Sequence, residues 1–324
     1  AIHSADLTRQ LLAFARKQTI APKVLNLNRT LEGMLGMLQR LIGENIELSW
    51  VPAQGLWNVR IDPSQIDQVL ANLCVNAKDA ITGIGKITIE TGNVEVDAEY
   101  CALHEGFKPG RFVTLSVSDD GCGMSEEVQE KLFEPFFSTK ASGEGTGLGL
   151  ATVYGIVKQN EGFINVYSEP GRGSTFKIYL PGYFGREAVA GDIGQEKTPE
   201  GGKETILVVE DEESLLQMVR MMLEKLGYNV LTAGTPGEAL ELVRGHRDEI
   251  ELLITDVIMP EMNGRELSNL LRKENPGLKT LFMSGYTANV IAHHGVLDTD
   301  VHFMEKPFST KILSSRVREA LGKS

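Results

Sequence analysis

The chain is poor in tryptophan, with two residues, and in cysteine, with three in 324. Cys74, Cys101 and Cys122 stand far apart and show no metal-ligand spacing, which excludes a cysteine zinc site and a disulfide scaffold. That usage fits a reducing compartment. A basic excess is also missing: 44 acidic residues against 32 basic give a net charge of −12, the wrong sign for a general nucleic-acid binder. No apolar run approaches the ~20 residues that span a bilayer, and no signal-peptide pattern opens the sequence. A cytoplasmic location, without nucleic-acid or membrane contact, is the expectation.

What is present is a hydrophobic fraction of 42%, enough for packed cores, on a length that exceeds one ordinary core. Two α/β domains are expected. Residues 5–17 carry Leu7, Leu11, Leu12 and Phe14 at helical spacing, an apolar stripe in need of a partner. Because the sequence opens without Met in such a helix, it reads as part of something longer. Helical and strand patterns then alternate to residue 181. Leu27–Ile42 is an amphipathic helix, and a second runs from Pro63, a helix-start residue, to about Ile81. Strands are expected at 46–51, 57–61, 86–96, 112–118, 163–168 and 175–180, with a helix at 148–159. Residues 182–203 are rich in Gly, Glu and Ala and lack periodicity, as a linker does. From Glu204 short apolar strands alternate with helices in the rhythm of a doubly wound parallel sheet.

Four motifs follow one another in the first domain. Asn72 and Asn76 sit four apart on one helix face; an amide oxygen there can complete the oxygen coordination of Mg²⁺, although paired surface amides look the same. Asp119-Asp-Gly-Cys-Gly123 follows a strand: the carboxylate suits a donor such as the adenine amine, and Gly121 and Gly123 allow close backbone approach, though a tight turn alone reads alike. Phe133-Glu-Pro-Phe-Phe137 is an aromatic cluster of the kind that packs in cores. Gly145-Thr-Gly-Leu-Gly149 precedes a helix, so backbone amides and the helix dipole can face phosphates. No Gly-Lys-Ser/Thr follows, so this is not a Walker loop.

In that order and spacing, residues 22–181 resemble the catalytic, ATP-binding domain of histidine kinases, within the ATPase superfamily of gyrase, mismatch-repair proteins and a heat-shock chaperone. The resemblance implies a two-layer α/β sandwich that binds ATP and Mg²⁺. By it Asn72 and Asn76 form the asparagine box with Asn76 on Mg²⁺, Asp119 takes the adenine amine beside Gly121 and Gly123, and Gly145, Gly147 and Gly149 form the second glycine box. Residues 138–146 would be a lid, with Lys140 a candidate phosphate contact, and Thr175 would support the adenine pocket. Hydrolysing members carry Glu four residues before the Mg²⁺ asparagine as a general base; here Asn72 occupies that position and cannot take a proton. ATP is therefore expected to await another acceptor, a histidine imidazole. His3 is followed by Ser4 rather than by an acidic residue, so residues 1–18 read as the end of a dimerisation hairpin whose phosphoacceptor lies outside the sequence.

In the second domain Glu210 and Asp211 end the first strand, Asp256 the third and Ser284 the fourth, while Lys306-Pro307 follow the fifth. Three converging carboxylates repel one another unless a cation joins them. Lys306 and the Ser284 hydroxyl can serve the oxygens of a phosphoryl group. Residues 204–324 resemble the receiver domains of two-component systems, which implies five parallel strands, phosphorylation of Asp256, and Mg²⁺ held by Glu210, Asp211, Asp256 and the Ile258 backbone oxygen. Phe303 takes the aromatic switch position. Domains are therefore expected at 1–18, 19–181, 182–203 and 204–324. The resemblance implies a hybrid histidine kinase in a phosphorelay, a homodimer at full length, whose partner is a downstream histidine phosphotransfer protein or response regulator. A hydrolytic Mg-ATPase and a non-catalytic nucleotide sensor are the competing classes; Asn72 opposes the first and the intact motifs the second. Tyr154 and Lys158, four apart with Phe163 near in sequence, also suggest a stacking-plus-cation surface for a second ligand or for the receiver. A half-buried tyrosine and a solvated lysine would give the same pattern.

Overall fold

The computed structural model describes residues 21–98, 101, 108–140, 146–185, 201–246, 249–287 and 301–322. The expected helix at 5–17, His3, Gly145 and most of the linker and of the lid fall outside them.

The first domain opens with strand β1 (Lys23–Asn26), which the apolar pattern did not reveal, and helix α1 (Leu27–Ile42). Leu27, Leu31, Met34, Leu38 and Ile42 recur every three or four residues and are the helix's buried positions, as an amphipathic helix requires. Strands β2 (Ile46–Val51) and β3 (Asn58–Ile61) follow; β3 pairs with β1 in a small antiparallel ribbon. Helix α2 (Pro63–Ala80) begins cleanly because Asp62 accepts a hydrogen bond from the Ser64 N–H at 2.9 Å and Pro63 has no N–H to satisfy. Its face of Ile66, Val69, Leu70, Leu73 and Ala77 is buried, which leaves Asn72 and Asn76 half-buried on another side.

The main sheet adds β4 (Gly85–Val96), β5 (Gly110–Asp119), β6 (Phe163–Ser168) and β7 (Ser174–Pro181) in the order β2-β4-β5-β7-β6. Only β2 and β4 run parallel. Between β5 and β6 lie α3 (Glu126–Lys131), six residues too short to show periodicity, and α4 (Gly149–Gln159). Side chains of one sheet face, among them Ile87, Ile89, Leu115, Val117 and Ile178, share a core with α1, α2 and α4, giving two layers.

The second domain is the expected doubly wound sheet. Strands β8 (Thr205–Val209), β9 (Asn229–Ala233), β10 (Ile250–Asp256), β11 (Lys279–Ser284) and β12 (His302–Glu305) are all parallel, in the order β12-β11-β10-β8-β9. Helices α5 (Glu213–Lys225), α6 (Pro236–Gly245), α7 (Gly264–Glu274) and α8 (Thr310–Ala320) flank them. Caps fix these starts: Thr235 accepts from Glu238 N–H, and Asn263 with Glu266 forms a reciprocal capping box. No helix among the described residues is long and apolar enough to cross a membrane.

Candidate functional site

A cavity of about 420 Å³ opens between α2, the end of β5 and the start of α4, lined by Asn72, Asn76, Asp79, Asp119, Lys140 and Gly147 among others. Helical geometry brings the two asparagines to the same wall. The start of α4 sits against them: a Cβ built on Gly149 would lie 3.6 Å from Asn72 Oδ1 and 3.9 Å from Asn76 Nδ2. Asp119 stands at another wall. Its Oδ1 accepts the Gly121 N–H at 2.9 Å, and the Ser174 N–H also donates to it. Burial pushes its carboxyl up to about 6 against the pull of those two amides, with the charge of Asp120 adding to the rise.

Two glycines are dictated by packing. Gly123 has φ +66° and a Cβ there would fall 1.8 Å from the Glu169 carbonyl oxygen; Gly147 has φ +64° and its Cβ would fall 2.3 Å from the Phe136 carbonyl carbon. The close approach that the sequence suggested for a ligand is in part an approach of the protein's own backbone. Phe136 itself donates its N–H to the Gly147 oxygen at 2.9 Å, and its ring is 62% exposed rather than packed in the core. The aromatic segment thus supports the glycine loop with its backbone. Thr175 also differs from expectation. It is fully buried and donates its hydroxyl to Ser118 Oγ at 2.8 Å, and it is absent from the cavity lining, which Ser174 and Phe176 reach instead. Strand alternation turns Thr175 to the opposite sheet face, so its support for the cavity is indirect. Lys140 reaches the cavity, where its ammonium pairs with Asp79.

In the second domain the strand ends converge as the sequence implied. One carboxylate oxygen each from Glu210, Asp211 and Asp256 lie within 4.8 Å of one another. Lys306 Nζ bridges two of them, at 2.7 Å from Glu210 Oε2 and 2.5 Å from Asp256 Oδ2. Burial, with Asp256 and Asp211 adding to it, raises the pKa of Glu210, which is only 2% exposed, against the attraction of Lys306. Burial pulls Lys306 down, but Asp256 and Glu210 more than offset it and hold the ammonium charged. The Ile258 N–H donates to Asp256 Oδ1 at 3.2 Å, which orders the turn after the strand, and the buried Ser284 Oγ accepts from the Tyr286 N–H at 3.2 Å.

Comparison with known proteins matches these two halves separately. Residues 61–183 match the "Histidine kinase-, DNA gyrase B-, and HSP90-like ATPase" family, and residues 206–318 match the response regulator receiver domain. Sensor kinase CckA of Brucella abortus is 43% identical over 329 residues, an alignment that takes in 99% of this chain and 35% of that protein. The chain is homologous to hybrid sensor histidine kinases. Sensor protein EvgS of Escherichia coli K12 is 34% identical over 72% of this chain and 18% of its own length. The chain therefore spans about a third, or less, of these relatives. Full-length ShkA, solved in complex with AMPPNP, is 19% identical with a TM-score of 0.44, over 98% of this chain and 62% of that one. The first domain of this hybrid kinase homologue is an ATP-binding domain of that ATPase family.

Sequence reasoning gave no role to two polar residues of this cavity, Asp79 and Ser174. Asp79 lies one helical turn beyond Asn76 and holds Lys140; the i,i+3 spacing was a signal for it. The apolar walls from Val75, Met124, Leu132 and Leu150 come from four different segments, which no local pattern reports. The surface suggested around Tyr154 is rearranged. Lys158 Nζ lies 5.3 Å from the Tyr154 ring centroid, and that ring packs at 5.0 Å on Phe133. Phe163 is elsewhere, buried between Phe112 at 4.8 Å and Tyr179 at 4.3 Å on the far face of the sheet. It is that far face, not α4, that meets the receiver domain.

Proposed function

We propose that this chain performs the phosphoryl chemistry of an ATP-dependent protein histidine kinase, passing the group from ATP to a histidine and then to Asp256. One observation carries the reading: both carboxylates that line the ATP cavity are engaged, Asp79 by Lys140 and Asp119 by the Gly121 N–H. Asn72, at the position where hydrolysing relatives carry Glu, is a neutral amide. Among the described lining residues no free carboxylate is left to activate water, and none is a histidine. A site of this kind holds ATP for an acceptor brought to it.

In this reading Asp119, flanked by Gly121 and Gly123, accepts the adenine amine. Asn76, with Asn72 beside it, offers amide oxygen to Mg²⁺. Gly147 and Gly149 turn backbone amides at the N-terminus of α4 towards the phosphates, with Gly145 in the same glycine box by the resemblance, and the Lys140 ammonium, still paired with Asp79, offers its remaining N–H donors to a phosphate oxygen. An imidazole nitrogen attacks the γ-phosphorus as the bond to ADP breaks. An Asp256 carboxylate oxygen then attacks the same phosphorus, the P–N bond breaks, and the imidazole leaves with a proton. Three carboxylate oxygens within 4.8 Å, opposed by a single lysine, fit a hard divalent cation with oxygen preference. Glu210, Asp211, Asp256 and the Ile258 oxygen would hold Mg²⁺, which when bound offsets the charge developing on the phosphoryl oxygens. Lys306 and Ser284 take the remaining oxygens. A homodimer at full length, a cytoplasmic location and a downstream phosphotransfer protein or response regulator belong to the same reading.

Incubating the chain with γ-labelled ATP, alone and with an added histidine hairpin, tests the scheme. Alone it should stay unlabelled and release little phosphate. With the hairpin, label should appear on histidine and then on Asp256. Steady phosphate release without the hairpin would favour the hydrolytic ATPase, and binding without any transfer a nucleotide sensor.

The raised Asp119 carboxyl gives a pH signature. Only the ionised form accepts the adenine amine, so affinity is full above about 6 and falls as pH drops through it. Calorimetry with adenosine, which carries no titrating phosphate, should show affinity about tenfold weaker at pH 5 than at pH 7. A flat profile over that range would remove Asp119 from the contact.

A further inference from the structure

A two-layer sandwich leaves one sheet face open to solvent, yet here that face is buried. Phe112, Phe163, Tyr179 and Val96 point away from the helices and belong to one continuous buried cluster with Leu215, Met218 and Met222 of α5 and Phe308 beyond β12. Lys177, 4% exposed, sits on the same face; its ammonium pairs with Glu305 and donates to the Lys306 carbonyl at 3.0 Å. The Tyr167 ring lies so close over Gly285 that a Cβ there would fall 1.9 Å from it, and Asp97 Oδ2 accepts the Thr310 N–H at 2.9 Å at the start of α8. Aromatic, aliphatic, ionic and capping contacts thus join the domains along their length.

The contact sits beside the phosphoacceptor. Asp256, Glu210 and Lys306 face a cleft of about 680 Å³ whose other wall is α3 and β6, including Gln129, Asn165 and Tyr167. Side chains of the first domain thus stand over the carboxylates on the side from which a phosphodonor comes, and a small donor needs less of that space than a folded hairpin does.

We propose that the receiver docks in cis on the open sheet face of the ATP-binding domain, and that this docked state screens Asp256 from protein phosphodonors until the receiver lifts away. The proposal rests on the phosphorelay reading above. Lys177 is the latch, because it holds both Glu305 and the backbone of the phosphate-facing Lys306. The transfer itself is unchanged: the P–N bond of phosphohistidine breaks, the O–P bond to Asp256 forms, and the imidazole leaves protonated. Docking sets only which donor reaches the carboxylate.

Labelling of Asp256 in this chain by two donors tests it: acetyl phosphate, and a separately made histidine hairpin phosphorylated on its imidazole. Lys177→Glu should raise the hairpin-driven rate about tenfold, as loss of an ionic latch would, and leave the acetyl phosphate rate within about twofold. Lys177→Glu with Glu305→Lys should restore the original hairpin rate. As a second arm, Asp97→Cys with Thr310→Cys, in a Cys101→Ser background, should cross-link on oxidation and slow the hairpin-driven reaction until reduced. Failure to cross-link, an unchanged hairpin rate, or equal changes with both donors would overturn the proposal. If neither donor labels Asp256 in the unaltered chain, the phosphorelay reading fails and the proposal falls with it.

Discussion

Asp256→Ala is expected to leave the receiver domain unlabelled by acetyl phosphate, a fall of more than about 100-fold to background. The carboxylate is the nucleophile, and neither neighbour can replace it. Glu210 is buried and tied to Lys306 at 2.7 Å, and Asp211 lies at the outer edge of the cluster. Loss of folding would not explain the result. Three carboxylates around one ammonium repel one another without a cation, so removing one relieves repulsion while Glu210 still pairs with Lys306. Thermal stability without Mg²⁺ should therefore be unchanged or higher by about 1 kcal/mol, and the increase in melting temperature on adding Mg²⁺ should shrink. Persistent labelling in Asp256→Ala, located by peptide mapping, would move the phosphoacceptor elsewhere.

The second large effect is at the other end of the relay. Asp119→Ala should weaken ATP binding by about 100-fold or more, close to 3 kcal/mol, the upper range for a hydrogen bond to a charged group. It removes the acceptor for the adenine amine and also leaves the Gly121 and Ser174 amides without their partner, so the loop that shapes the cavity loosens. Asn76→Ala should behave differently, weakening Mg-ATP more than adenosine because it touches only the metal and phosphate end. Calorimetry with both ligands separates the two. Unchanged binding in both variants would reject the assignment of the cavity.

Much of this was legible in the residues. The helix start at Pro63, the three-and-four spacing of apolar residues in α1 and the short apolar strands of the second domain are local signals, and local signals survive in sequence. The strand-end carboxylates, Lys306 and Ser284 were legible because a doubly wound sheet gathers strand ends at one edge whatever the loops do. Asn72, Asn76 and Asp119 came from motif order. What those motifs could not convey was who touches whom: that Asp79 holds Lys140, or that Gly123 and Gly147 make room for backbone.

The sequence by itself determined two α/β domains and the succession of most of their strands and helices along the chain. Only the tertiary structure decided the fate of the second face of the first sheet. In the run Thr175-Phe-Lys-Ile-Tyr179 the alternation marks Phe176 and Ile178 as core and turns Lys177 outward, where a lysine ordinarily meets water. The burial of Lys177 depends on Glu305, 128 residues away, and on the packing of α5 against Tyr179 and Phe163. Alternation reports that a residue leaves one core. It carries no information about a second surface brought by a distant part of the chain, because such a contact is set by the shape of both domains and not by any local period.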